Sequence, residues 1–371
     1  MNEGEGQCTC PTGAAGSGGG GGSRSSSARG SPPNSECSIL RPRIPHPTSA
    51  AIILSPHPTP GPLAWPPPLL PGARVALIAP AGPLRGPDDV ARGAANARRL
   101  GWEPVVGPHA LRRAGYLAGS DHERLADLAW ALGSDDVDGV WCLRGGYGTM
   151  RLLDQLDLGA LRRRPRALMG FSDVTALHAA VGRECGLVTF HAPVARGELT
   201  PFSERALRAA VTRQAEPCGA APGGRTLRPG RAHGRLAGGN LALLAALCGT
   251  PFLPELHGAI LVIEDVHEAV YRVDRMLQQL LLSGALRGLR GLVVGQFTDV
   301  PADDDGCDRP LDDVLVELAD RLRVPCLAGV PVGHVDEQWT LPLGAAATLD
   351  ATAGRLDVEP PLARHGMQAA P

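Results

Sequence analysis

Lysine is absent from this chain of 371 residues, so all 36 basic side chains are arginine. A Walker-type phosphate loop and any Schiff-base mechanism both need a lysine amine, and both are excluded. Aromatic residues make up only 4%, and no run reaches the roughly 20 apolar residues that span a bilayer; "LALLAALCGTPFL" is broken by Gly and Pro. No arginine-dense stripe with interleaved aromatics occurs, and a formal net charge of −2 supplies no bulk attraction to nucleic acid or to an anionic membrane, so neither is expected as a partner. H-E-x-x-H is missing, His267-Glu268 has no second histidine one helical turn on, and the acidic run 303–308 lacks the distal glutamate of a calcium loop. No metal and no cofactor is expected. The 9 cysteines are odd in number; Cys142, Cys185, Cys248 and Cys326 lie in or beside apolar segments, and Cys8-Thr9-Cys10 has no partner pair at zinc-finger spacing. That usage suits a reducing, cytoplasmic compartment. A secretory signal is poorly supported, because Glu3 and Glu5 occupy what should be a basic start.

Glycine (48) and proline (35) are abundant but unevenly placed. Residues 1–70 are dominated by Gly, Ser and Pro, a composition that cannot bury enough apolar area to offset its ordering entropy, and are expected to be a disordered extension. From "ARVALIAPAG" onward, short apolar runs alternate with helical periods. Asp88 to Leu100 reads as a helix, and Ser120-Asp121-His122-Glu123 as the capping box of another. "DGVWCL", "RALMG" and "LVTF" read as buried strands. This rhythm predicts an α/β fold whose N-terminal domain, residues 71–196, is built on a parallel sheet with a serine at a strand-to-helix turn. An Arg/Pro/Gly-rich connection, 197–232, leads to a smaller, β-rich α/β domain over 233–361, in which a long helix is expected from about Val266 to Ser283. Residues 362–371 are expected to be a loose tail.

Within this frame four places could carry chemistry. "ALMGFSDVTALH" sets Ser172 between an apolar strand and an amphipathic helix, where its hydroxyl is either a nucleophile raised over the sheet edge or the N-cap of the helix. Val174 stands where a G-x-S-x-G elbow has its second glycine, so that motif is incomplete. "LRGGYGTMRLLDQLD" follows a strand with Gly145, Gly146 and Gly148, either an ordinary turn or a loop that brings backbone amides to an anion. Glu264 ends the strand "AILVIED" as a functional carboxylate or an exposed acid, while Asp265-Val266-His267-Glu268 matches a capping box for the next helix. Among the histidines, His334, in the Gly/Pro-bounded "GVPVGHVDEQWTLPLG", and His191 are the candidates for a base.

Together with "IAPAGP", "YLAGSDHERLADL", "TFHAPV", "GRLAGGNLALLAALCGTP" and "VIEDVHEAVYRVDRML", these stretches occur in an order that resembles the LD-carboxypeptidase family of serine peptidases, from about Arg74 to Val358. The family includes murein tetrapeptide carboxypeptidases and microcin C immunity peptidases. The resemblance implies a Ser-Glu-His triad at Ser172, Glu264 and His334, an oxyanion hole from the amides of Asp173 and Gly146, and a homodimer. It also implies a muropeptide substrate from which a terminal D-alanine is released, with an aminoacyl-nucleotide amide as the alternative. Ala192 departs from the glycine expected after His191, and the long N-terminal extension is a second departure. A carboxypeptidase must also hold a free carboxylate, for which Arg144 is the candidate, unless it is simply a surface arginine.

Overall fold

A computed structural model describes residues 63–301 and 309–360. Most of the Gly/Ser/Pro extension, the Cys8/Cys10 pair, the acidic run 303–308 and the tail 362–371 lie outside the described residues. The first half runs β1 (Arg74–Ile78), α1 (Pro87–Arg99), β2 (Glu103–Val106), α2 (Asp121–Gly133), β3 (Gly139–Cys142), α3 (Gly159–Arg163), β4 (Ala167–Gly170), α4 (Thr175–Cys185), β5 (Thr189–His191) and α5 (Pro201–Thr212). The second continues with β6 (Gly219–Ala220), β7 (Arg225–Arg228), β8 (Arg231–Asn240), α6 (Leu241–Leu247), β9 (Ala259–Val266), α7 (Val270–Leu282), β10 (Gly291–Thr298), α8 (Leu311–Leu322), β11 (Cys326–Ala328), β12 (Leu341–Leu343), β13 (Ala346–Asp350) and β14 (Arg355–Val358). The expected α/β class with two sheets is therefore what forms.

Local signals explain where the helices start. Ser120 accepts from the Glu123 amide while the Glu123 carboxylate takes the Ser120 amide, which is the reciprocal box the sequence predicts. Proline at the start of α1, with Asp88 and Asp89 in its first turn and Arg98 and Arg99 in its last, suits the helix macrodipole. One expectation is corrected. Helix α7 begins at Val270, not near Val266, and its N-cap Ala269 makes no side-chain bond. The residues in between are taken by the sheet, because β9 continues to Val266, paired with Thr298, and His267 then turns with φ +60°. Asp265 does cap a helix, but it is α6: its carboxylate accepts from the Ala242 amide at 2.9 Å.

The first sheet has the order β12-β5-β4-β3-β1-β2, parallel except for β12, which comes from near the C-terminus and runs antiparallel to β5. Its strands are apolar on both faces, as a covered parallel sheet requires. Val75 and Leu77 pack with Trp141, Met169 and residues of α1 and α5. Ala76 and Ile78 point the other way, onto α2 and α4. Pro-rich residues 63–70, assigned by composition to the extension, also lie against this sheet: Ala64 bridges Leu187, and Leu69 is buried against Gly139, where any Cβ would clash at 2.9 Å. The stretch 197–232, expected as a connection, carries α5 and β7.

The second sheet has the order β6-β14-β13-β8-β9-β10-β11-β7, with a parallel centre, β8 to β11, and antiparallel margins. Leu261, Ile263, Leu292 and Val294 face α6, α7 and α8. Ile260, Val262 and Val293 face a cluster that includes Trp339, Leu341 and Leu343, the segment that joins the first sheet. The two sheets thus share the chain around β12, and the loop that precedes it crosses from one to the other. Among the described residues no helix is long and apolar enough to cross a membrane.

Candidate active site

Ser172 follows β4 at the carboxyl edge of the first sheet. Gly170 sits at φ +157°, where a Cβ would lie 3.1 Å from Cys142 and Val174, and Ser172 itself adopts φ +64°, a left-handed conformation that a non-glycine residue holds only under constraint. Its hydroxyl makes no helix cap; the short helical turn Ser172–Val174 and helix α4 both begin without a side-chain cap bond. Instead Ser172 Oγ lies 3.2 Å from His334 Nε2. His334 Nδ1 in turn lies 2.9 Å from Glu264 Oε2. A carboxylate can only accept, so Nδ1 carries the proton, and Nε2 of the neutral ring is left as the acceptor facing the serine. Ser172, His334 and Glu264 come from three separate segments, and the structure brings them into one hydrogen-bonded line.

The surroundings hold that line in place. The Glu264 side chain is completely buried, whereas His334 keeps 24% of its side-chain surface exposed and so opens to the site's mouth. Burial pushes the Glu264 carboxyl above its usual range, against the opposing pull of the His334 hydrogen bond. Gly333 sits at φ +119°, where a Cβ would be 2.9 Å from Glu264 Oε2, so only glycine lets the His334 loop close onto the acid. The Phe171 ring packs against His334 with centroids 4.8 Å apart, limiting rotation of the imidazole. Gly295 also packs here, where a Cβ would lie 3.1 Å from Glu264 Cβ; Gly333, the glycine in "PVGH", is marked by its residue type, whereas Gly295 and Phe171 are not singled out by pattern.

The glycine loop lies directly against the serine. A Cβ on Gly145 would sit 2.8 Å from Ser172 Cβ and 3.0 Å from its Oγ. Gly146, at φ +114°, packs on Gly82 of the "IAPAGP" segment, whose amide donates to Gly145 O at 3.0 Å. Asp173 ties this loop to the Ser172 turn: its carboxylate accepts from the Thr149 amide at 2.8 Å, and its backbone carbonyl from Thr149 Oγ1 at 2.5 Å. Burial pushes the Asp173 carboxyl upward despite these bonds. Beneath the loop, buried Arg124 donates to Pro80 O at 2.6 Å and Gly148 O at 2.9 Å, and pairs with Asp121.

The other candidate base is not part of this line. His191 is fully buried in β5 against Phe171, with neither ring nitrogen hydrogen-bonded, and burial drives its pKa down to about 3. His178 supports the turn from below, with Nε2 bonded to Gly170 O at 2.8 Å and its pKa lowered to about 4 by burial. Arg144 is half-buried beside the glycine loop and donates to Pro83 O, with no carboxylate within salt-bridge distance among the described residues. Burial and the nearby Arg196, Arg85 and Arg113 pull its pKa down, and only Asp89 opposes them. Among the described residues no group of three His, Cys, Asp or Glu side chains could hold a metal ion.

A strained serine over a parallel sheet, an imidazole on its hydroxyl and a buried acid behind define a serine hydrolase. Comparison with known proteins narrows this. Residues 75–192 match the LD-carboxypeptidase N-terminal domain and residues 233–349 the LD-carboxypeptidase C-terminal domain, so the chain belongs to the LD-carboxypeptidase family and is a serine-type carboxypeptidase. It is 39% identical over 300 residues to a murein tetrapeptide carboxypeptidase of Pseudomonas aeruginosa, covering 75% of this chain and 93% of that one. It is 27% identical over 292 residues to the microcin C7 self-immunity protein MccF of Escherichia coli, covering 70% and 84%. The crystal structure of muramoyltetrapeptide carboxypeptidase from Oxalobacter formigenes superposes with a TM-score of 0.70 at 33% identity, over 77% of this chain and 98% of that one.

Proposed function

We propose that this enzyme releases the terminal D-alanine of the peptidoglycan tetrapeptide, cleaving the bond that follows the L-centre of meso-diaminopimelate, through a Ser172–His334–Glu264 triad. The observation that carries this reading is the continuous hydrogen-bonded line from Ser172 Oγ through both nitrogens of His334 to Glu264. His334 Nε2 takes the hydroxyl proton as Ser172 Oγ attacks the amide carbonyl, and Glu264 stabilises the imidazolium that forms. The amides of Gly146 and Asp173 receive the oxyanion, since the Gly145–Gly146 backbone and the turn after Ser172 flank the hydroxyl. His334 then protonates the leaving amine of D-alanine, and water activated by the same imidazole hydrolyses the acyl-serine. The leaving residue bears a free carboxylate, for which Arg144 is the assigned partner: a guanidinium beside the glycine loop with no carboxylate of its own.

The similarity to the named murein tetrapeptide carboxypeptidase supports this substrate over an aminoacyl-nucleotide amide. We also assign the reaction to the cytoplasm, from the cysteine usage, and to a homodimer, as the family resemblance implies; light scattering after gel filtration tests the second point. The decisive experiment incubates the purified protein with free tetrapeptide and follows D-alanine by mass spectrometry, with Ser172→Ala in parallel. Release by the wild type alone is the expected result. Equal release by Ser172→Ala would remove the serine mechanism, and cleavage of an aminoacyl-sulfamoyl adenosine without release from tetrapeptide would replace the substrate.

A further inference from the structure

Behind the Ser172–His334–Glu264 line lies a second buried polar group that the reaction leaves unused. Thr175, the first residue of α4, is one helical turn after Ser172, and its Oγ1 accepts from the Asn240 amide at 3.0 Å. The Asn240 side chain donates through Nδ2 to Asp265 Oδ1 at 2.8 Å, and its own Oδ1 accepts from Leu243 as the N-cap of α6. Asp265 also takes the Ala242 and Val266 amides, at 2.9 Å each. Thr175, Asn240 and Asp265 are all buried.

We propose that Thr175, Asn240 and Asp265 form a clasp that fixes the nucleophile turn against the strand carrying the acid, which makes Thr175 and Asp265 positioning residues for the triad; this rests on the serine-triad reading above. Asp265 is the immediate neighbour of Glu264 on β9, and successive strand residues point to opposite faces, so one carboxylate serves His334 while the next one is free to hold the clasp. Thr175 follows Ser172 by three residues, across the short helical turn Ser172–Val174. The clasp therefore spans the interval between Ser172 and Glu264 by a path that does not pass through His334. That matters because His334 stands on a loop and must meet both partners at once.

The carboxyl end of β8 is shaped for this contact. Gly239 sits at φ +134°, where a Cβ would lie 2.6 Å from Thr175 Oγ1, and Gly238 at φ +131°, where a Cβ would collide with Val262 O at 1.9 Å. Gly239 lets the backbone of the second sheet come within hydrogen-bond reach of a helix that belongs to the first, while Gly238 lets β8 lie close against β9 within its own sheet. A hydroxyl at position 175 supplies an acceptor there, which a valine of the same shape lacks. Without it, the buried Asn240 amide is unpaired and the seam relaxes.

The test measures the rate at which a fluorophosphonate probe labels Ser172, which reports activation of the serine whatever the natural substrate, together with kcat and KM for tetrapeptide and the thermal unfolding midpoint. Thr175→Val is expected to slow labelling and lower kcat about 10- to 100-fold with KM changed less than about twofold, the loss a misplacement on the order of 1 Å produces. Thr175→Ser, which restores the acceptor, is expected to stay within about threefold of the wild type. Asp265→Asn keeps the shape and removes the charge-assisted acceptor, and is expected to slow labelling likewise, giving an independent reading if the valine variant fails to fold. Wild-type labelling in Thr175→Val or in Asp265→Asn would overturn the clasp, as would equal losses in Thr175→Val and Thr175→Ser. Labelling of Ser172→Ala at the wild-type rate would instead refute the serine triad itself.

Discussion

Replacing Glu264 by glutamine separates the acid's role in orientation from any role in stability. The glutamine has the same shape, and Gly333 and Gly295 already crowd the site, so the side chain stays where it is. If its amide nitrogen takes the place of Oε2, 2.9 Å from His334 Nδ1, it donates where the carboxylate accepted. Nδ1 must then lose its proton and Nε2 must carry one, so the nitrogen facing Ser172 Oγ can no longer accept. If the amide oxygen stays there instead, the tautomer survives but the imidazolium loses its counter-charge. Amidation of the acid in a serine triad costs roughly 10³- to 10⁴-fold in kcat, about 4–5.5 kcal/mol at about 1.36 kcal/mol per decade.

Stability should move the other way. Burial holds the Glu264 pKa above its ordinary 4.5, so the folded state binds this proton more tightly than the unfolded chain does. Its contribution is therefore most favourable at low pH and is lost as pH rises from about 4.5 through the raised folded value. Glutamine removes that cost, so at pH 8 the variant's unfolding midpoint should equal or exceed the wild type's. The assays are D-alanine release under saturating tetrapeptide and a thermal melt on the same preparation. A loss of less than tenfold in kcat, or a loss matched by a lower melting point, would refute the orientation argument.

Gly145→Ala should fold but lose about 10²-fold in kcat, because its methyl group would displace Ser172 by an amount on the order of 1 Å; tetrapeptide kinetics and circular dichroism check the pair of outcomes. The pKa of His191, lowered to about 3, means that between pH 6.5 and that value the unfolded chain takes up a proton the folded one refuses, so stability falls with acidification by up to about 1.4 kcal/mol per pH unit. His191→Leu should remove that slope, and the difference between the pH profiles of the two unfolding midpoints measures it. Arg124→Met should destabilise by about 1–3 kcal/mol, since Pro80 O and Gly148 O lose their buried donor while Asp121 stays partly solvated; urea unfolding gives the number. Arg144→Met should raise KM for tetrapeptide with kcat less affected, whereas equal KM values would remove Arg144 from carboxylate binding.

Much of this molecule is legible as text because its signals are local. The capping box at Ser120 depends on residues three apart, and apolar runs such as Gly139–Cys142 become strands of a covered sheet because little else buries them. The left-handed turns at Gly146 and Gly333 are marked by the residue type they require. Misreadings arise where a distant partner competes. Asp265 heads a four-residue pattern that fits a capping box, yet β10 keeps that segment extended and the aspartate caps α6, more than twenty residues upstream. Ser172 has the residue type of a cap, but its hydroxyl faces a histidine 162 positions away.

Sequence alone determined the α/β class, the helix and turn chemistry, and the short list from which Ser172, Glu264 and His334 came, because propensity, periodicity and glycine's backbone freedom act over a few residues. The resemblance already pointed to His334, but the physical reason for His334 over His191 belonged to the tertiary structure. Both stand beside apolar strands, and only the packing of the two sheets shows that one is buried with unpaired nitrogens while the other spans serine and acid. The same holds for β12, which joins the first sheet from the far end of the chain, and for the contact between Thr175 and Asn240. Such pairings are decided by which surfaces exclude water together, and that is a property of the assembled core.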